Sequence, residues 1–119
     1  MRHAAIEKFC LSLKAASLVV QWGEHRVYKV GGKIFALLSP AGERPQTVSF
    51  KASDDSFHIL TQLPAIVPAP YFAKAYWVYL QNLDALPAKE LKAYLGRAHG
   101  LVAAGLPKKT RAGLGLLDV

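Results

Sequence analysis

The sequence predicts an α+β fold in the order helix, three strands, helix, strand region, helix, and three observations carry that reading. Ile6, Phe9, Cys10 and Leu13 recur at i, i+3, i+4 and i+7, the spacing of one helix face. Two strand-like runs in RVYKVGGKIFALLS flank Gly31-Gly32, a pair free to take the positive φ that a two-residue primed turn demands. Leu91, Tyr94, Leu95, Ala98 and Leu101 form a second helical stripe after Pro87.

In chain order, the N-terminal spacing predicts a helix over residues 4–16, followed by the Gly31-Gly32 hairpin. The loop SPAGERPQ leads into TVSFKA, whose alternation sets Val48 and Phe50 on one face and Thr47, Ser49 and Lys51 on the other, a half-solvated strand. Ser53, Asp54, Asp55 and Ser56 read as a helix start, because their oxygens accept orphan amide protons and the aspartates oppose the positive helix end. That helix is expected to stop at Leu63, before Pro64. Pro64, Pro68 and Pro70 withhold ladder donors, so the segment runs extended, as loop or sheet edge, until WVYL resumes strand character. Pro87 suits the first position of the last helix, which ends near Gly105 and Pro107.

A chain of 119 residues, 52% of them hydrophobic, holds one domain with a genuine core. No apolar run reaches the length of a spanning helix, so no membrane is expected. Glu7, Lys8 and Lys14 break up the N-terminal apolar residues, unlike a secretory segment. Cys10 is the single cysteine, it stands at an apolar helix position, and it reads as a core thiol; a reducing cytoplasm fits. The formal net charge is +7. Between residues 71 and 111 the bases Lys74, Lys89, Lys92, Arg97, Lys108, Lys109 and Arg111 face only Asp84 and Glu90. Solubility and polyanion binding account for such an excess equally well.

The joint order and spacing of four stretches resembles the MmcQ/YjbR family of small bacterial proteins. They are VYKVGGKIFALLS at 27–39, VSFK at 48–51, VPAPYFAKAYW at 67–77 and GLVAAGLPKKTR at 100–111. The resemblance implies a two-layer fold, a twisted antiparallel sheet backed by helices, similar to frataxin-like and secretion-chaperone-like folds. It also implies a double-wing, DNA-binding label that comes largely from fold comparison. The chain departs from the family pattern at Ala73, Tyr76 and around Ala98 and His99, where polar residues are frequent. Residues 1–111 are expected to form the single domain. The tail beyond, with weak periodicity and two glycines, is expected to be mobile over 112–119.

Two function classes follow. In the first, Lys29 and Lys33 project near the tip of a hairpin wing and contact DNA phosphates. Lys51, Lys74, Arg97, Lys108, Lys109 and Arg111 then add neighbouring contacts. Lysines at sheet edges also simply prevent intermolecular strand pairing, and a basic run after a helix also complements its dipole. In the second, a protein-interaction or chaperone-like module holds a partner on an exposed aromatic face at Trp77 and Tyr79, or on a sheet edge. Ordinary cross-strand packing explains the same two rings without any ligand. Tyr71 and Phe72 are expected to plug the sheet edge. His3, His25, His58 and His99 lack metal-ligand spacing, and no nucleophile is paired with a base. The expectation is therefore a non-catalytic, cytoplasmic protein without metal or cofactor, monomeric or weakly dimeric, with DNA or a protein as partner.

Overall fold

The computed structural model describes residues 1–70 and 75–117. Helix α1 (His3–Ser12) buries Ile6 and Cys10. It stops four residues short of expectation, because Leu13 is already extended and Ala15 takes a φ of 59°. The chain then reverses into a strand the sequence pattern did not reveal, β1 (Ala16–Gln21). Trp22, Gly23 and Glu24, all at positive φ, turn it into β2 (His25–Val30). There follow β3 (Lys33–Leu38), β4 (Val48–Lys51), α2 (Asp54–Leu60), β5 (Ile66–Pro68), β6 (Trp77–Leu80), α3 (Ala88–Ala104) and α4 (Lys108–Leu114).

The six strands form one sheet in the order β1-β2-β3-β4-β6-β5, with every neighbouring pair antiparallel. The α+β architecture and its element order therefore stand, enlarged by one edge strand and a short terminal helix. Ile6 and Cys10 of α1 and Leu91, Leu95 and Ala98 of α3 share a core with Tyr28, Phe35, Phe50, Val78 and Leu80 of the sheet. Each large apolar side chain so enclosed stabilises the fold by about 1.5–3 kcal/mol relative to exposure.

Several local expectations hold for identifiable reasons. Gly31 and Gly32, at φ 58° and 79°, make the two-residue turn of the β2–β3 hairpin, with Val30 opposite Lys33. Ser53 caps α2 by accepting from the Ser56 amide at 3.1 Å, a bond that stabilises by about 1 kcal/mol. Val78 and Leu80 enter the core while Trp77 and Tyr79 face the other way.

Others need correction. β4 is not half-solvated: it lies between β3 and β6, and Ser49 is buried along with Val48 and Phe50. Pro87 stands one position before α3, where its carbonyl accepts from the Leu91 amide at 2.9 Å. Over residues 112–117 the chain is not an unattached tail. Gly115 closes α4 at φ 71°, the Leu116 amide donates to the Arg111 carbonyl at 2.8 Å and the Gly115 amide donates to the Ala112 carbonyl at 3.2 Å. This Schellman closure drops Leu116 into the core, fully buried.

The two borders of the sheet differ. β5 is three residues long and ends in Pro68, whereas β1 is six residues long and carries neither proline nor charge.

Candidate functional site

Three of the sequence-predicted lysines meet at one end of the sheet. Here the β2–β3 turn, the end of β4, the start of β6 and the last turns of α3 converge on a concavity of about 590 Å³. Lys29, Lys33 and Lys51 line it together with Trp22, Ile34, Trp77 and Leu106, and no carboxylate is among its described lining residues. Antiparallel register explains the gathering. Lys33 follows the turn directly, Lys29 sits across from Ile34, and Lys51 ends the strand that β3 pairs with, opposite Trp77. Successive strand residues face opposite ways, so Tyr28 lies in the core while Lys29 faces the concavity; the register shift beside them leaves the extra residue, Phe35, on β3.

Among the described residues, Lys29 and Lys33 have no ion-pair partner, and the carboxylates that are paired serve elsewhere. Lys51 donates to the Ala75 carbonyl at 3.0 Å, which orients its ammonium and leaves two further donors on it. Cations without carboxylate neighbours in a concave site present a focused positive potential.

The hairpin tip is not the free-standing wing expected from sequence. Gly31, having no Cβ, lets the Leu106 side chain seat directly against its backbone, so the turn is docked on the segment joining α3 to α4. The lysines are thereby held at a wall instead of at a projecting tip.

A second, smaller hollow of about 280 Å³ adjoins the first and shares Lys51 and Leu101 with it. Arg97 lines this hollow with its guanidinium 5.0 Å from the centre of the Tyr94 ring, a cation–π distance, and Gly100 and Ala104 keep its α3 wall low. Leu101, expected on the buried stripe of α3, is 39% exposed and lines both hollows.

Of the remaining predicted bases, Lys108 and Lys109 are exposed in the first turn of α4, just past Leu106, and line neither hollow. They sit at a helix start, where the dipole disfavours cations, so dipole complementation does not account for them. Arg111 is half-buried, and its Nε has no hydrogen-bond partner among the described residues. Lys74, Tyr71 and Phe72 lie outside the described residues.

Trp77 is only 6% exposed and Tyr79 is half-buried beside it, as ordinary cross-strand packing would leave them and unlike the open aromatic face of the partner-holding alternative. The exposed indole is Trp22, at 55%, a residue the sequence reading passed over. Its signal was available: a bulky aromatic residue directly before the glycine of a short turn has no core position to fill.

The other polar groups have structural tasks. Glu7 receives two hydrogen bonds from the Arg26 guanidinium and one, at 3.0 Å, from the Tyr28 hydroxyl. The Arg26 bonds hold the Glu7 carboxyl below its ordinary range, while burial and the same carboxylate raise Tyr28. Burial, with Glu7 nearby, pushes the Cys10 thiol up to about 12. His3, His25, His58 and His99 each have a ring nitrogen within 2.8 Å of a backbone carbonyl.

The sequence profile of the YjbR family matches residues 11–101. Among solved structures, the Deinococcus radiodurans protein DR2400, with a DUF419 domain, is 26% identical, with a TM-score of 0.86 over 98% of this chain and 90% of its own. A Pseudomonas syringae protein shares the fold at 21% identity and a TM-score of 0.70, over 85% of this chain and 98% of its own. No curated protein matches the chain.

Proposed function

The chain belongs to the YjbR family, and from that premise we propose that it is a non-catalytic DNA-binding module whose phosphate contacts are made by Lys29, Lys33 and Lys51. The observation that carries this reading is their convergence, with no carboxylate among the described lining residues, on one concave surface. Lysines placed only to keep a sheet soluble have no reason to gather, and a gathered set attracts a polyanion by releasing its counterions. Arg97 extends the cationic surface through the shared Lys51. Lys108 and Lys109 add longer-range attraction, because both are exposed close to the concavity wall.

A fluorescence-anisotropy titration with labelled DNA at rising salt tests the reading. Affinity is expected to fall by one or more orders of magnitude between low and physiological ionic strength. In Lys29→Glu/Lys33→Glu it is expected to fall for every sequence alike. Affinity that ignores salt, or survives that double substitution, refutes the assignment.

A further inference from the structure

We propose that the concavity takes an unpaired nucleic-acid strand, with one base stacked on the Trp22 indole and the adjoining phosphates on Lys29, Lys33 and Lys51. This rests on the nucleic-acid reading above and specifies the form of the ligand.

The first support is the placement of Trp22. Its ring is 55% exposed, does not join the hydrophobic core, and lines the same hollow as the three lysines. The backbone beneath it is costly. Trp22 has a φ of 54°, a conformation that disfavours a side-chain-bearing residue by about 1–2 kcal/mol, and the following Gly23 would have suited a turn by itself. The turn is nevertheless fixed, since the His25 ring donates through Nδ1 to the Trp22 carbonyl at 2.7 Å. A held, largely exposed indole outside the core is suited to meet another flat apolar face.

The second support is shape. Duplex DNA is stiff over about 150 base pairs and carries its phosphates on a convex surface, so it spans a hollow without entering it. A single strand bends into a hollow, and each of its bases offers a face for stacking that contributes about 1–3 kcal/mol whatever the sequence. Cations set inside a concavity beside an indole fit the flexible ligand. The adjoining hollow continues the path past Lys51 to Arg97 and Tyr94, giving a second nucleotide a guanidinium for its phosphate and a largely apolar recess for its base.

The test compares a short oligothymidylate with a hairpin duplex of equal nucleotide count, reading anisotropy for affinity and indole emission for stacking. Oligothymidylate is expected to bind about ten-fold tighter than the duplex and to quench emission. Trp22→Ala is expected to lose about ten-fold in oligothymidylate affinity and most of the quenching, with duplex affinity unchanged; Trp22→Phe is expected to restore most of the affinity. Equal affinities for the two ligands, or a Trp22→Ala protein that binds oligothymidylate as tightly as the parent, overturn the strand-form proposal. The phosphate reading then survives only if Lys29→Glu/Lys33→Glu still abolishes binding. Failure of both ligands to bind at low salt overturns both.

Discussion

A methyl group placed on Gly31 would stand 2.5 Å from Cδ1 and 3.0 Å from Cδ2 of Leu106. That relationship ties the β2–β3 turn to the junction of α3 and α4, and it sets Lys33 and Leu106 on one wall of the basic hollow. Gly32, next door, has open space where its Cβ would be.

The two glycines should therefore respond differently to the same change. Both have positive φ, so alanine at either is expected to cost about 1–2 kcal/mol of backbone strain. Gly31→Ala must also displace Leu106, adding roughly 1–3 kcal/mol of overpacking. Urea unfolding of the pair is expected to place Gly31→Ala clearly below Gly32→Ala; equal midpoints would show that Leu106 yields freely.

Phosphate contacts leave a count in the salt dependence. Each of Lys29→Ala, Lys33→Ala and Lys51→Ala is expected to reduce the slope of log affinity against log salt by about 0.7–0.9. Lys89→Ala, on an exposed turn of α3 that lines neither hollow, is expected to leave the slope unchanged. Titrations at several salt concentrations read this directly.

Acid should loosen α1 from the sheet. Glu7 has its folded pKa below the ordinary 4.5 because of the Arg26 hydrogen bonds, so its contribution is fully present above that value. The contribution is lost as pH falls through the lower folded pKa. Glu7→Gln is expected to lose about 2 kcal/mol at neutral pH and to show a shallower fall in stability below pH 4.5 than the parent. Urea midpoints measured across pH check both.

The C-terminal anchor has a cost when removed. Leu116 is fully buried, so Leu116→Ala is expected to destabilise by about 2–5 kcal/mol. Thermal unfolding measures it, and an unchanged midpoint would mean that the end of the chain contributes no packing.

Elements whose conformation follows from residue type were legible in the sequence. Gly31-Gly32 announced its turn, Ser53 its cap, and the alternation of WVYL its two faces. What escaped was set by residues in conformations their types seldom adopt. Ala15, Trp22 and Glu24 all take positive φ without being glycine, so the first border of β1 lacked a usable signal and Gly23 alone marked the second. Leu114 and Leu116 looked like a loose apolar tail because only tertiary docking gives them a core to join. At the site, strand register brings Lys29, Lys33 and Lys51 of the expected basic set onto one hollow, while Arg97 lines its neighbour and Lys108 and Lys109 line neither. Which indole is open was not legible, Trp77 being buried and Trp22 exposed, because exposure cannot be read from an alternating pattern when both faces of a strand are covered.

The unequal borders of the sheet give the molecule a polarity of growth. An extra strand, from another copy or from a misfolded neighbour, finds its amide row open along Ala16–Gln21 and obstructed at Pro68. In concentrated preparations, accretion should therefore start on that flank alone, and a single lysine in place of Val20, whose side chain is 51% exposed, is the smallest guard against it.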